Sequence, residues 1–225
     1  VPVKSYSGAV SAFRRNDVQL AWFGGLSGVQ ARTLVQGSQV LAQGYEDQFF
    51  RTYFIAHSSA NIEYSKNFPM DIVGKSFTFG SKGSTSGRLM PEYYIRKYLG
   101  DPDILFKHVG FSGDHSRTIS LVQAGSYQIG AVNYKVWQRK LKQKEIDESR
   151  IKVIWKTPVY PDYQWTIRGD VDSIYGEGFS DRIRQALLSI NDPNLLSAFP
   201  RSSFVPAQNS DYLPIYSTAR EIGLM

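Results

Sequence analysis

"FGSKGSTSGRLMPEYYI", residues 79–95, decides how the rest of the chain is read. An apolar, strand-like run enters it, a loop of glycines and hydroxyls follows, and a helix-like run leaves it. Gly83 and Gly87 let the main chain approach a neighbour or a ligand closely. Ser84, Thr85 and Ser86 stand at the start of the helix-like run. There the first amides have no partner within the helix, and the helix dipole is positive. Two readings follow. One hydroxyl caps the helix, or three hydroxyls and the amides together cradle a tetrahedral oxyanion. The residues by themselves leave both open. The loop does not match GxxxxGK[ST], which argues against a nucleotide hydrolase.

Working outward, strand-like and helix-like runs alternate in both directions, the pattern of an α/β fold. "GAVSAFRRND", "LSGVQARTLVQG", "RLMPEYYIRKYLG", "DHSRTISLVQAG" and "KVWQRKLKQKEIDES" read as helices, the third ending at Gly100 as its C′ residue. "VPVKSY", "VQLAWF", "SQVLAQGY", "RTYFIAHSS", "DIVGKSFTFGS" and "YQIGAVNY" read as strands. "RIKVIWKTPVYPDYQWTIRGDV" gives two extended pieces around a Pro-bounded turn, and "SDRIRQALLSI" an amphipathic helix with a Ser/Asp start. Runs near 50–56 and 152–160 are placed to link two lobes. Residues 1–54 and 156–225 are expected to form one lobe and 55–155 the other.

The chain has 225 residues, enough for one large domain or two small lobes, with 42% hydrophobic and 14% aromatic residues. It has no cysteine, which excludes disulfides and Cys-ligated zinc. Its 26 Lys and Arg against 20 Asp and Glu give a net charge of +6, which favours anionic partners. The basic residues are scattered rather than massed, so no nucleic-acid partner is expected. No apolar run is long enough to span a membrane.

His115 falls at a helix start, where a neutral imidazole is favoured and a ring N–H can donate to an anion. Capping or simple exposure explains it as well. His57 and His108 lie in strand-like runs and read as structural. No two histidines have a metal-ligand spacing, so neither a metal nor any cofactor is expected. "TPVYPDYQW", residues 157–165, concentrates prolines, aromatics and Asp162, as either a pocket wall or a packed crossover. Tyr6 is equally ambiguous. With no GxSxG elbow, no cysteine nucleophile and no base–nucleophile pair, no catalytic residue is predicted.

The order of these pieces resembles the periplasmic binding proteins of phosphonate and phosphite ABC transporters. The likeness runs from "YSGAVSAFRRNDVQLAWFGGLS" through "TFGSKGSTSG" and "FSGDHSRTISLVQAGSYQIGA" to "VIWKTPVYPDYQW", about three-quarters of the chain. It implies a two-lobe type II periplasmic binding protein fold with the ligand in the cleft between lobes. It also implies a periplasmic location, secreted or lipid-anchored, and delivery of a small oxyanion to a membrane permease. A monomer is expected, and a first strand and helix before Val1. Carried over residue by residue, Ser84, Thr85 and Ser86 match the family's oxyanion hydroxyls, His115 its pocket histidine and Tyr6 a first-lobe aromatic. Asp162 matches the pocket aspartate. Phe50 stands where some members have a pocket tyrosine, for which Tyr134 is the replacement. The expected ligand is phosphite or a short alkylphosphonate, with sulfate or selenate as the alternative. The other classes weighed are a ligand-sensing domain of a transcription regulator and an enzyme acting on a phosphorylated metabolite.

Overall fold

The computed structural model describes residues 3 and 5–225. From α1 (Tyr6–Arg14) the chain runs through β1 (Leu20–Phe23), α2 (Gly25–Leu34), β2 (Gln39–Gly44) and β3 (Thr52–His57). Next come β4 (Ser76–Phe79), α3 (Met90–Tyr98), α4 (Pro102–Leu105), β5 (His108–Phe111), α5 (His115–Gln123), β6 (Ile129–Asn133) and α6 (Tyr134–Lys142). There follow β7 (Ile151–Lys156), β8 (Gln164–Ile167), α7 (Val171–Tyr175), α8 (Phe179–Leu188), α9 (Pro193–Ser197), β9 (Phe204–Pro206) and α10 (Leu213–Glu221). These elements form two compact α/β units. One holds the chain up to Phe50 together with Val159–Gly223, and the other holds Arg51–Pro158.

In the Arg51–Pro158 unit five strands lie in the order β5-β4-β6-β3-β7. β4 runs parallel to β5 and β6, and β3 antiparallel to β6 and β7. β3 shows how the sequence dictates this layering, because successive side chains of a strand point to opposite faces. Phe54 and Ala56 join one apolar cluster with Phe77, Phe79 and Ile95. Tyr53 and Ile55 join another with Ile119, Val122 and Val132. A strand covered on both faces reads as an unbroken apolar run, as "YFIA" does. Phe54 is wholly buried, and its truncation to alanine would cost about 3–5 kcal/mol.

The other unit has a four-stranded antiparallel sheet in the order β1-β8-β2-β9. Leu41, Ile167, Leu187, Leu196 and Phe204 form one of its apolar clusters; Val10, Phe13, Phe23, Ala31 and Val35 form a second. Two expectations need correction. α8 starts at Phe179 with Gly178, at φ +73°, as its N-cap. Ser180 instead gives its N–H and hydroxyl to Asp172, at 2.7 and 2.9 Å, so an external carboxylate has taken the hydroxyl that the sequence offered as a cap. The strand-like "VPVKSY" lies partly outside the described residues, and within them Ser5 caps α1 and Tyr6 is helical.

Candidate ligand-binding site

The Arg51–Pro158 unit builds its polar cradle at the end of β4. Gly80 N–H donates to Gly87 O at 2.7 Å and closes the turn. A Cβ on Gly80 would lie 3.1 Å from Gly87 Cα, and one on Gly87 would lie 3.0 Å from both Ser84 Oγ and His115 Cε1. Both positions take glycine because main chain and side chains crowd there, not because of an unusual φ. Ser84 Oγ accepts the Gly87 N–H at 2.9 Å, so the capping reading holds for this residue. Thr85–Leu89 forms one wide i→i+5 turn ahead of α3, a geometry that concentrates at functional sites. Ser84, Thr85 and Ser86 are all buried, and Thr52 Oγ1 donates to Ser86 O at 2.9 Å.

His115 reaches the same place from α5. A Cβ on Gly130 of β6 would lie 2.8 Å from Thr118 and 2.9 Å from Val122, so this glycine lets α5 lie close on the sheet. Asp114 caps α5 by accepting from Arg117 N–H at 2.8 Å. His115 Nδ1 accepts from Asn133 N–H at 3.3 Å, which assigns the ring proton to Nε2. Nε2 lies 3.4 Å from Ser86 Oγ. Burial lowers the imidazole pKa from 6.5 to about 4, against an opposing pull from Asp114. At neutral pH His115 is thus an uncharged donor aimed at the hydroxyl turn.

Tyr134 follows Asn133, whose side chain caps α6 by accepting from Lys135 and Val136 N–H at 2.8 and 3.3 Å. Its ring packs 6.1 Å from that of Tyr53, in the apolar cluster beside α5. His57 Nδ1 is 2.8 Å from Ser59 Oγ, and His108 Nε2 is 3.1 Å from Tyr127 OH, two local contacts apart from the cradle.

The unit formed by the two ends of the chain holds a different set. Asp162 is buried, and its Oδ1 accepts from Gly25 N–H at 2.8 Å across 137 residues. It thereby caps α2, whose own N-cap, Gly24, has no side chain to do so. Tyr163 hydrogen-bonds to Tyr6 through the side chains. Burial first, then the neighbouring Tyr6 and Asp162, push its phenol well above the usual 10. Phe50 is wholly buried, its ring 5.8 Å from that of Tyr163. Sequence reading did not single out Arg201 and Asp47. Arg201 Nε and Nη2 donate to the two Asp47 oxygens at 2.5 and 2.7 Å, both residues being buried. A pairing across 154 residues leaves no local signal.

Among the described residues no three His, Asp or Glu gather as metal ligands, and no helix is long and apolar enough to cross a membrane. Residues 1–212 match the family of ABC transporter phosphonate periplasmic substrate-binding proteins. The chain belongs to this family. A relative from Prochlorococcus marinus (strain MIT 9301), named probable ABC transporter phosphite binding protein PhnD1, is 36% identical over 234 residues, covering 99% of this chain and 77% of PhnD1. The solved structure of PhnD1 with methylphosphonate superposes with a TM-score of 0.93 at 37% identity, covering 100% of this chain and 86% of that one. The phosphonates-binding periplasmic protein of Escherichia coli (strain K12) is 29% identical over 163 residues, covering 69% of this chain and 46% of that protein. The two-lobe fold of periplasmic binding proteins follows from the same comparison. As a member of this family the chain is a transporter's substrate-binding component.

Proposed function

We propose that this protein binds a small phosphorus oxyanion, phosphite or a short alkylphosphonate, and delivers it to the membrane permease of an ABC importer. It does so as a monomer in the periplasm, secreted or lipid-anchored, and performs no reaction on its cargo. The observation that carries the reading is the neutral His115 held beside the buried hydroxyl turn. Thr85, Ser86 and the His115 Nε2–H supply donors to ligand oxygens, with Ser84 shaping the turn and Tyr6 and Tyr134 adding hydroxyls. Asp162 supplies the discrimination. A carboxylate offers several lone-pair sites, and the bond from Gly25 uses one of them. Facing an anion, it is satisfied only by a proton on that anion. Phosphorus oxyanions titrate near neutrality, so a singly protonated form is available to supply one. Sulfate and selenate offer none, and would meet the buried negative charge with no proton between them. The names and the bound methylphosphonate of the relatives support the same ligand class.

Titration calorimetry at pH 7 against phosphite, methylphosphonate, phosphate, sulfate and selenate tests this. Phosphite or methylphosphonate is expected to bind at least about 100-fold tighter than sulfate, a difference of ~2.7 kcal/mol. Sulfate or selenate binding as tightly as both phosphorus ligands would overturn it.

A further inference from the structure

Arg201 has no place in that reading, yet it lies inside the cluster that Asp162 belongs to. Its charge interacts with Asp162 as well as with Asp47 and Tyr163. Its guanidinium carbon sits 5.2 Å from the ring centre of Tyr163, 5.8 Å from that of Trp22 and 5.9 Å from that of Phe50. Burial works against the cation, but the bonds and charge of Asp47, with smaller pulls from Tyr163 and Asp162, together more than offset it, so Arg201 stays ionised. A guanidinium fork matches the edge of a tetrahedral dianion, and with its charge uncompensated in such a place it would recruit sulfate as readily as a phosphorus ligand. Here all three nitrogens of the fork are engaged within the unit. Nε and Nη2 go to the two Asp47 oxygens, and Nη1 donates to the carbonyls of Phe199 and Pro200 at 2.8 and 3.2 Å.

The surroundings are shaped to keep that pairing. A Cβ on Gly44 would lie 2.7 Å from Cγ and Cδ of Arg201 and would overlap Asp47 Oδ2, so only glycine admits the pair. Asp47 O in turn accepts the Asp162 N–H at 3.0 Å, tying the pair to the loop that carries Asp162 and Tyr163.

We propose that Asp47 is a specificity-determining residue, which blocks Arg201 from acting as a receptor for fully ionised oxyanions and leaves selection to Asp162. The inference rests on the oxyanion reading above and deepens it. Asp47 touches no ligand. It acts by occupying the fork and cancelling its charge.

Two variants separate this role from a merely structural one. Asp47→Asn keeps the shape but frees the Arg201 charge. Asp47→Asn with Arg201→Met removes both charges, an exchange that buried ion pairs often tolerate. Calorimetry should show the phosphite-to-sulfate affinity ratio falling about tenfold or more in Asp47→Asn, through a gain in sulfate binding, and returning towards the wild-type ratio in the double variant. A structural role would weaken both ligands together in either variant. Thermal melts in rising sulfate read the same gain by mass action, even for a weakened fold. Sulfate should raise the melting temperature of Asp47→Asn and not that of the double variant. An unchanged ratio together with no sulfate-dependent melt in Asp47→Asn would overturn the proposal, as would a sulfate gain that persists in the double variant. Wild-type protein that bound no phosphorus oxyanion would defeat the oxyanion reading instead, while the sulfate response of Asp47→Asn would still decide the role of Asp47.

Discussion

The polar groups of the two units are built on opposite plans. In the Arg51–Pro158 unit Ser84, Thr85, Ser86 and His115 are uncharged at neutral pH, and three of them are consecutive. In the other unit Tyr6, Asp47, Asp162, Tyr163 and Arg201 come from four separate segments, and three of them are charged. A set of neutral donors accepts an anion without regard to its proton count. A set containing buried carboxylates senses the proton. On the proposed reading affinity belongs to the first unit and discrimination to the second, and each assignment can be broken separately.

The largest expected effect is on affinity. Hydrogen bonds to a charged partner contribute roughly 1.5–3 kcal/mol each. Thr85→Ala combined with Ser86→Ala should weaken phosphite binding by about 100-fold or more, with the phosphite-to-sulfate ratio nearly unchanged. Calorimetry showing wild-type affinity would remove the hydroxyls from the site.

Next is the pH dependence of stability. His115 has a folded pKa of about 4 against 6.5 in the unfolded chain, so between these values the unfolded state binds more protons. The contribution is complete above pH 6.5 and is lost as pH falls towards 4, by up to about 3 kcal/mol. Protonation would also turn Nδ1 into a donor and break its bond from Asn133. The stability difference between wild type and His115→Gln, from urea unfolding, should shrink by that amount between pH 7 and pH 4. A difference constant across this range would mean that His115 titrates as an exposed histidine.

Asp162→Asn should sharpen the contrast, since an amide can donate to a bare oxygen. The phosphite-to-sulfate ratio is expected to fall about tenfold, or ~1.4 kcal/mol, while phosphite affinity changes less. An unaltered ratio would leave Asp162 as a cap for α2 only.

The smallest effect belongs to Ser84→Ala. Loss of a helix cap costs about 1 kcal/mol of stability. It should lower the melting temperature by a few degrees and cost less affinity than the Thr85 and Ser86 changes. A binding loss equal to theirs would make Ser84 a ligand contact rather than a cap.

What the sequence revealed follows the range of the forces involved. The strand "YFIA" and the helix end at Gly100, φ +112°, depend on near neighbours and are legible in short windows, whereas which hydroxyl of the Ser-Thr-Ser run makes the cap is not. The approach of His115 to Ser86 spans 29 residues and depends on Gly130 admitting α5, which no local pattern announces. Even the local rule failed at α8, because Asp172, eight residues upstream, claimed Ser180 first. Arg201 sits in "AFPRSSF", which carries no charge pattern at all, and only the folded sheet brings Asp47 to it.

The strand order of the antiparallel sheet has a consequence for how the chain comes together in time. Among the described residues β1 pairs in a ladder with β8 alone, more than 140 residues further on, and loop-closure entropy rises with the logarithm of that separation. All five strands of the mixed sheet, in contrast, are available once residue 156 has been made. A chain emerging from its N-terminus can therefore complete the inserted unit while β1 and β2 still wait for β8 and β9. Once that insert has collapsed it stands in the growing chain as a short, rigid spacer, and the entropy of joining the two ends is cut before their ladder begins to form. The discontinuous unit is assembled last, by a closure that its neighbour in sequence has already shortened.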